Sequence, residues 1–149
     1  MSDVTLRQYW MKVLSMSDYE TLTKLYETLE IDVAYQVIRA PEIGLVQLQG
    51  KMGGGGNRFY IGDATMTRAV IQLSTGQYGF GYVIGRDKHH AKLNALIDAL
   101  MQETSYQPQL LESVIHPLER ELEKIKLQKQ AEIETSRVDF FTLVRGEDE

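Results

Sequence analysis

The chain has 149 residues, of which 43% are hydrophobic and 25% are charged, a composition typical of one soluble domain with its own core. Its net charge of -5 argues against nucleic acid or an anionic membrane as the main partner. The absence of cysteine excludes disulfides, thiolate nucleophiles and iron–sulfur clusters, and the lack of a signal-like or membrane-spanning apolar run predicts a cytoplasmic protein.

Two amphipathic helices are predicted within residues 1–30. Apolar residues recur at helical spacing from about Thr5 to Met16, which predicts the first helix. Ser17 and Glu20 then have the spacing of a capping box, so Ser17 is the predicted N-cap of the second helix. Both helices are expected to cover a core.

An antiparallel sheet of about five strands is predicted within residues 32–85. The predicted strands are VAYQVIRA, GLVQLQGKM, RFYIGDA, MTRAVIQL and YGFGYVIG. Pro41 and Gly44 are interpreted as a turn between the first two strands, and residues 74–77 as a compact hairpin before the last. Glycines in the last strand leave room for a bulge or for a closely packed helix, ligand or partner. They are Gly79, Gly81 and Gly85.

Helices are predicted across residues 87–135. Asp87 is the expected N-cap of the first, which has a strong apolar face. Pro108 opens a longer helical segment, and Pro117 must kink or restart it because the proline ring clashes with the preceding turn. That segment carries a coiled-coil-like seam of Leu111, Ile115, Leu118, Leu122 and Ile125. The predicted fold class is therefore α+β, with an N-terminal helical pair, a sheet, a helix after it and a long C-terminal helix.

The last segment, residues 136–149, is too apolar for a free tail. It either folds back as an edge strand on its own sheet or inserts into a partner, and the sequence leaves both alternatives open. Under the second alternative it serves as an assembly tail. The predicted partner-interface residues are Leu118, Leu122 and Ile125 of the seam and Phe140, Phe141 and Leu143 of the tail.

A glycine run between two predicted strands is the first candidate anion site. It consists of Lys51, Gly53, Gly54, Gly55, Gly56 and Arg58. A phosphate loop needs converging backbone amides, usually at the start of a helix, but a strand follows here and neither common nucleotide-binding glycine pattern is present. The segment is either a plain connection or a loop that closes over a ligand.

Other cations extend the candidate site. Arg68 lies in a predicted strand, where a solvated sheet face explains it as well as phosphate contact does. Arg86 and Lys88 precede a helix and favour an anion, although Asp87 competes for the same amides. His89 and His90 lack the i, i+4 histidine partner of a helical zinc site, so no metal site is predicted. No catalytic residues are identified from spacing.

The ordered motifs resemble the PhnG family, a subunit of the bacterial carbon–phosphorus lyase core complex. The resemblance is carried by GLVQLQGKMGGGGNRFYIGDATMTRAVIQL, GYVIGRDKHHAKLNALIDALMQ and SRVDFFTLVRG, and it covers nearly the whole chain as a single domain. It implies a part in phosphonate catabolism, in a transferase complex that forms alpha-D-ribose 1-methylphosphonate 5-triphosphate and adenine from MgATP and methylphosphonate.

The resemblance also implies the partners. PhnI is expected to carry the catalytic centre, PhnH and PhnJ to be further subunits, PhnL to be needed functionally, and a second copy of this chain to complete a two-fold complex. No cofactor is expected on this chain alone. The cations and glycines above are then expected to neutralise and enclose substrate phosphates, unless the chain is purely a scaffold. The alternative to both is a free-standing phosphate- or nucleotide-binding module.

Overall fold

A computed structural model describes residues 3–51 and 58–131. The chain divides into two compact units, residues 1–118 and 119–149. The second unit is described over residues 119–131, which are helical and have mostly exposed side chains. Within the described residues, no helix is long and apolar enough to cross a membrane.

The first unit is α+β, as predicted. Helices α1 (Asp3–Met16) and α2 (Tyr19–Glu27) precede strands β1 (Tyr35–Lys51), β2 (Arg58–Leu73) and β3 (Tyr78–Ile84). Helix α3 (Lys88–Met101), the short α4 (Gln107–Leu110) and a π-helical turn (Leu111–Ile115) follow, and residues 116–118 continue as helix. The predicted N-terminal helical pair and the helix after the sheet are thus confirmed.

The predicted number of strands is wrong, because the described sheet has three strands in the order β1-β2-β3. Each of the first two spans two of the predicted strands. Pro41 and Gly44 do not turn the chain; β1 runs through them with register shifts against β2. Because β1 is an edge strand, the missing amide hydrogen of Pro41 is tolerated there. The predicted hairpin is confirmed, with Leu73 N donating to Gln77 O at 2.9 Å.

The cap of α2 also differs from the prediction. Asp18, not Ser17, is the N-cap, and its carboxylate accepts from the amide of Thr21 at 3.0 Å. Ser17 turns inward, and its hydroxyl donates to the Leu14 carbonyl at 2.7 Å. The predicted cap of α3 is confirmed, since Asp87 accepts from the amide of His90 at 3.0 Å.

Helix α3 packs directly on β3 because the strand has glycines where they meet. A Cβ on Gly79 would lie 1.9 Å from the carbonyl oxygen of Ala95, and one on Gly81 would lie 1.9 Å from that of Ala91. No side chain fits at either position, so the helix itself explains the close approach that the glycines predict. Around this contact lie the buried apolar residues of the core, among them Trp10, Leu14, Leu22, Ile71, Val83, Ile97, Leu100 and Met101.

The helical segment before residue 118 passes Pro117 without breaking. The amide of His116 donates to the carbonyl of Leu111, five residues earlier, in a π-helical turn. Such a widened turn relieves the crowding that a proline imposes on the preceding turn. Ile115 and Leu118 are buried there, as the predicted seam requires of them.

Candidate assembly surface

Part of the sheet extends beyond its third strand. The pairing of β3 with β2 ends where Ile84 meets Met66, whereas β1 and β2 stay paired to Lys51 and Arg58. We call residues 45–51 and 58–65 the ribbon. Among the described elements nothing adds a strand to either side of it. An isolated two-stranded hairpin is marginally stable in water, so such a ribbon needs further packing.

Both faces of the ribbon carry exposed apolar side chains. Leu45 stands opposite Thr65, on the side of the sheet where Thr67 and Ala69 are buried, and is 72% exposed. We call this side the helix-side face. The opposite side, the open face, carries Leu48 and also Ile61, because the register shift beside Leu48 reverses the alternation of β2 between Thr65 and Ile61; Ile61 is 60% exposed.

Contacts around Gly50 place the aromatic residues of the ribbon. A Cβ on Gly50 would lie 2.9 Å from both the Phe59 ring and the Ile61 side chain, so these two residues share the face of Gly50, which by alternation is the open face. Tyr60, between them in sequence, therefore lies on the helix-side face with Leu45, and it too is exposed.

The opposite edge of the sheet is closed by side chains of α3. Gln102 Nε2 donates to the carbonyl of Tyr78 at 2.7 Å, and Asn94 Nδ2 donates to that of Tyr82 at 3.2 Å. Between them, the amide of Phe80 donates to Asp98 at 2.9 Å. Three side chains spaced four residues apart on α3 thus satisfy alternate backbone groups of β3 and protect this edge from pairing with another chain.

Asp98 is also the centre of a buried polar cluster. Its carboxylate is 0% exposed and accepts from the Trp10 indole at 2.8 Å and from the Arg7 guanidinium at 2.9 Å. The hydrogen bond with Asp98 raises the pKa of Arg7. Phe80 lies under the guanidinium, 5.6 Å from its centre to the ring centroid. Arg7 and Trp10 lie on α1, Phe80 on β3 and Asp98 on α3. Their contacts hold these three elements together, so the cluster is structural.

A buried serine–histidine contact has residue types found in nucleophilic catalysis. His90 Nε2 lies 3.1 Å from Ser17 Oγ. The serine hydroxyl hydrogen, however, is directed to the Leu14 carbonyl, so the imidazole is not placed to accept it. Burial lowers the pKa of His90, against the opposing effects of Asp87 and Asp18. In the described residues no three metal-ligating side chains come together.

The predicted anion-site residues occupy separate places. Lys51 and Arg58 pair at the end of the ribbon. Arg68 lies ten residues further along β2, on the order of 30 Å from Arg58 at the rise of a strand. It stands opposite Glu42 and is exposed, so a single phosphate cannot contact both arginines. Gly53, Gly54, Gly55 and Gly56 lie outside the described residues.

Arg86 and Lys88 are exposed at the start of α3, on either side of Asp87. The carboxylate of Asp87 already occupies the amide of His90, as the competing interpretation in the sequence anticipated. The two cations are therefore side-chain charges beside an occupied helix N-terminus.

The predicted partner-interface residues differ in how far they are exposed. Leu118 is 1% exposed, so it belongs to the core of its own chain and offers no surface to a partner. Leu122 is half-buried and Ile125 exposed in the second unit. Phe140, Phe141 and Leu143 lie outside the described residues. Sequence reasoning missed the ribbon, whose signal is the run Phe59-Tyr60-Ile61, apolar at both alternating positions of one strand.

Known proteins similar to this chain agree with the resemblance in its sequence. A family model described as "Phosphonate metabolism protein PhnG" matches residues 5–146. The chain is 37% identical over 145 residues to the alpha-D-ribose 1-methylphosphonate 5-triphosphate synthase subunit PhnG of Rhizobium meliloti (strain 1021). That match covers 97% of this chain and 92% of the relative. The chain therefore belongs to the PhnG family of phosphonate metabolism proteins.

Proposed function

We propose that this chain is a subunit of an alpha-D-ribose 1-methylphosphonate 5-triphosphate synthase and that its own contribution is assembly. The relative from Rhizobium meliloti is named as such a subunit. The observation that carries the assembly role is the ribbon, which exposes large apolar side chains on both faces in a chain with an otherwise well-packed core. Other subunits are the natural cover for such a surface.

In the proposed complex, PhnI carries the catalytic centre and PhnH and PhnJ are further subunits. PhnL is required functionally, and a second copy of this chain completes a two-fold assembly in the cytoplasm. MgATP is a substrate of the complex, and this chain holds no cofactor alone. Displacement of adenine by methylphosphonate requires the phosphonate oxygen to be held near the sugar with water excluded. A scaffold supports this step by shaping and closing the partner's site.

The described polar residues fit this division of labour. Asp98, Arg7 and Trp10 are bound to one another, and Ser17 donates to backbone rather than to His90. These side chains fix the packing of the first unit and leave no free nucleophile and base in contact there.

A second candidate role is direct contact with the substrate's phosphates. It is favoured by the exposure of Arg86 and Lys88 on either side of the α3 cap. Arg58 and Arg68 support it less, because they are too far apart to act on one phosphate group. A free-standing phosphate-binding module is the weakest alternative, since it leaves the ribbon uncovered.

Co-purification with tagged PhnI, followed by an assay of adenine release from MgATP and methylphosphonate, tests the proposal. We expect the chain to co-purify, to be inactive alone and to be required for product formation. Stable activity of the isolated chain, or full activity of the complex without it, contradicts the assembly role.

Two double variants separate the candidate roles: Arg86→Ala with Lys88→Ala, and Arg58→Ala with Arg68→Ala. The assembly role predicts intact complexes with nearly unchanged turnover for the first pair. Substrate contact predicts intact complexes whose turnover falls at least tenfold. The second pair, whose arginines cannot share a phosphate, is the comparison, and because Arg58 lies in the ribbon its turnover is measured per assembled complex.

A further inference from the structure

We infer that the ribbon is an insertion arm that enters an apolar cleft of another synthase subunit and is covered there on both faces. This inference rests on the proposed function and names the surface through which it is performed. It assigns the contact with the partner to residues 45–51 and 58–65. The sequence had predicted this contact for the helical seam and the C-terminal tail.

The distribution of apolar residues requires cover on two sides. Leu45 and Tyr60 project from the helix-side face, and Leu48, Phe59 and Ile61 from the open face. A partner that docks flat against the sheet covers one of these sets and leaves the other in water. A cleft with two apolar walls covers both, as helices cover both faces of a parallel sheet.

The size of the ribbon leads to the same conclusion. Residues 58–65 span roughly 25 Å at strand rise, and two strands are roughly 10 Å wide, so one face offers on the order of 250 Å². A stable interface of standard size buries about 800 Å² on each partner. One face supplies about a third of that area, whereas both faces with their projecting side chains supply most of it.

The charged residues of the ribbon indicate the polarity of the cleft that receives it. Three residues of the ribbon are charged in the sequence, Lys51, Arg58 and Asp63, and the two cations are paired in register at its end. The complementary surface is therefore apolar along the length of the ribbon and weakly acidic where its end docks. Unpaired backbone groups at both ribbon edges also allow a strand of the partner to pair with it.

A second copy of this chain is a poorer occupant. An apolar groove on the described surface has a volume of about 350 Å³ and lies between α1 and β3, lined by Val4, Arg7, Gln8, Met11, Phe80 and Tyr82. One wall of this groove is a helix and its floor is a strand, so it receives one face of a ribbon and cannot enclose two. Another subunit must supply the second wall.

One substitution on each face tests the inference. Leu45→Lys changes the helix-side face and Ile61→Lys changes the open face, both at side chains that are exposed in the free chain. Met16→Lys, at an exposed apolar residue that ends α1, is the matched control. Each variant is titrated against the other synthase subunits, co-expressed and purified without this chain, and melting temperatures establish that the variants fold.

We expect each ribbon variant to bind about 10- to 100-fold more weakly, with an unchanged melting temperature, and the control to bind as the wild type does. If only one ribbon variant binds the other subunits more weakly, the ribbon docks flat on one face and the inference is overturned. It is also overturned if neither variant binds more weakly. A wild-type homodimer that both variants dissociate overturns the choice of occupant. Wild-type chain that does not bind the other subunits at all contradicts the proposed function itself, a result distinct from all of these.

Discussion

Replacing Gly81 with alanine is expected to destabilise the first unit strongly. The added Cβ lies 1.9 Å from the carbonyl oxygen of Ala91 and 2.5 Å from the amide nitrogen of Ala95. Carbon and oxygen atoms in contact are normally at least about 3.3 Å apart, so α3 must retreat by roughly 1.4 Å. Both obstructing atoms are backbone, and no flexible side chain can move to make room.

The magnitude follows from two costs. Overpacking a core contact costs about 1–3 kcal/mol. Retreat of α3 also stretches the hydrogen bonds that Asp98 and Asn94 make to the edge of β3, at 2.9 and 3.2 Å, and a buried polar group that loses its partner costs about 1–3 kcal/mol. We therefore expect a loss of about 3–5 kcal/mol, a large part of a typical domain's 5–15 kcal/mol.

Urea unfolding of the purified chain, followed by circular dichroism, measures this loss. Gly44→Ala is the matched control, because a Cβ there meets nothing within 4 Å. It should change the free energy of unfolding by less than about 1 kcal/mol. If Gly81→Ala also stays within that limit, α3 does not pack on β3 as described and the reasoning fails.

Three further predictions concern the core. Asp98→Ala leaves the Arg7 guanidinium and two other donors without their acceptor, and urea unfolding should show a loss of about 3 kcal/mol. Burial lowers the pKa of His90. The contribution of neutral His90 to the free energy of unfolding is therefore fully present above its unfolded-state pKa of about 6.5, and it is lost as the pH falls through the lower folded-state pKa. The melting temperature should therefore fall between pH 7 and 5, and less so in His90→Gln; an equal slope in both proteins contradicts this. In urea unfolding, Leu118→Ala should lower the free energy of unfolding by about 2–5 kcal/mol, and Ile125→Ala, at an exposed residue, by less than about 0.5 kcal/mol. Equal losses in the two variants would place Leu118 outside the core.

The sequence predicted the fold class and most helices because periodicity and caps are local signals. Asp87 acts as predicted, and the hairpin at residues 74–77 forms as expected. The strand number failed at Pro41 and Gly44, because turn residues and residues tolerated on an edge strand are the same types. Whether a proline turns a strand or lies at its free edge depends on which strand pairs beside it, and that is a long-range property.

The candidate site was less predictable than the fold. Arg58 and Arg68 were grouped because both follow the glycine run closely in sequence, but one continuous strand holds them apart. The apolar ribbon was overlooked because its residues were assigned to strands of the sheet without a prediction of how far those strands extend beyond their neighbours. Exposure of Leu45, on the helix-side face, follows from the length of β3, which pairs with only the second half of β2.

The use of polar and apolar residues in this chain supports a division of labour within the proposed synthase. Residue types that enzymes use for chemistry, such as His90, Ser17 and Asp98, are here buried in contacts that join α1 and β3 to α3. Large apolar residues are instead exposed on the ribbon, where a soluble monomer has reason to avoid them. Selection for catalysis on this chain alone gives no reason for either arrangement. Selection for a rigid base that presents an arm to another subunit accounts for both, because the buried polar cluster fixes β3 and α3, and the sheet then fixes the direction of the arm.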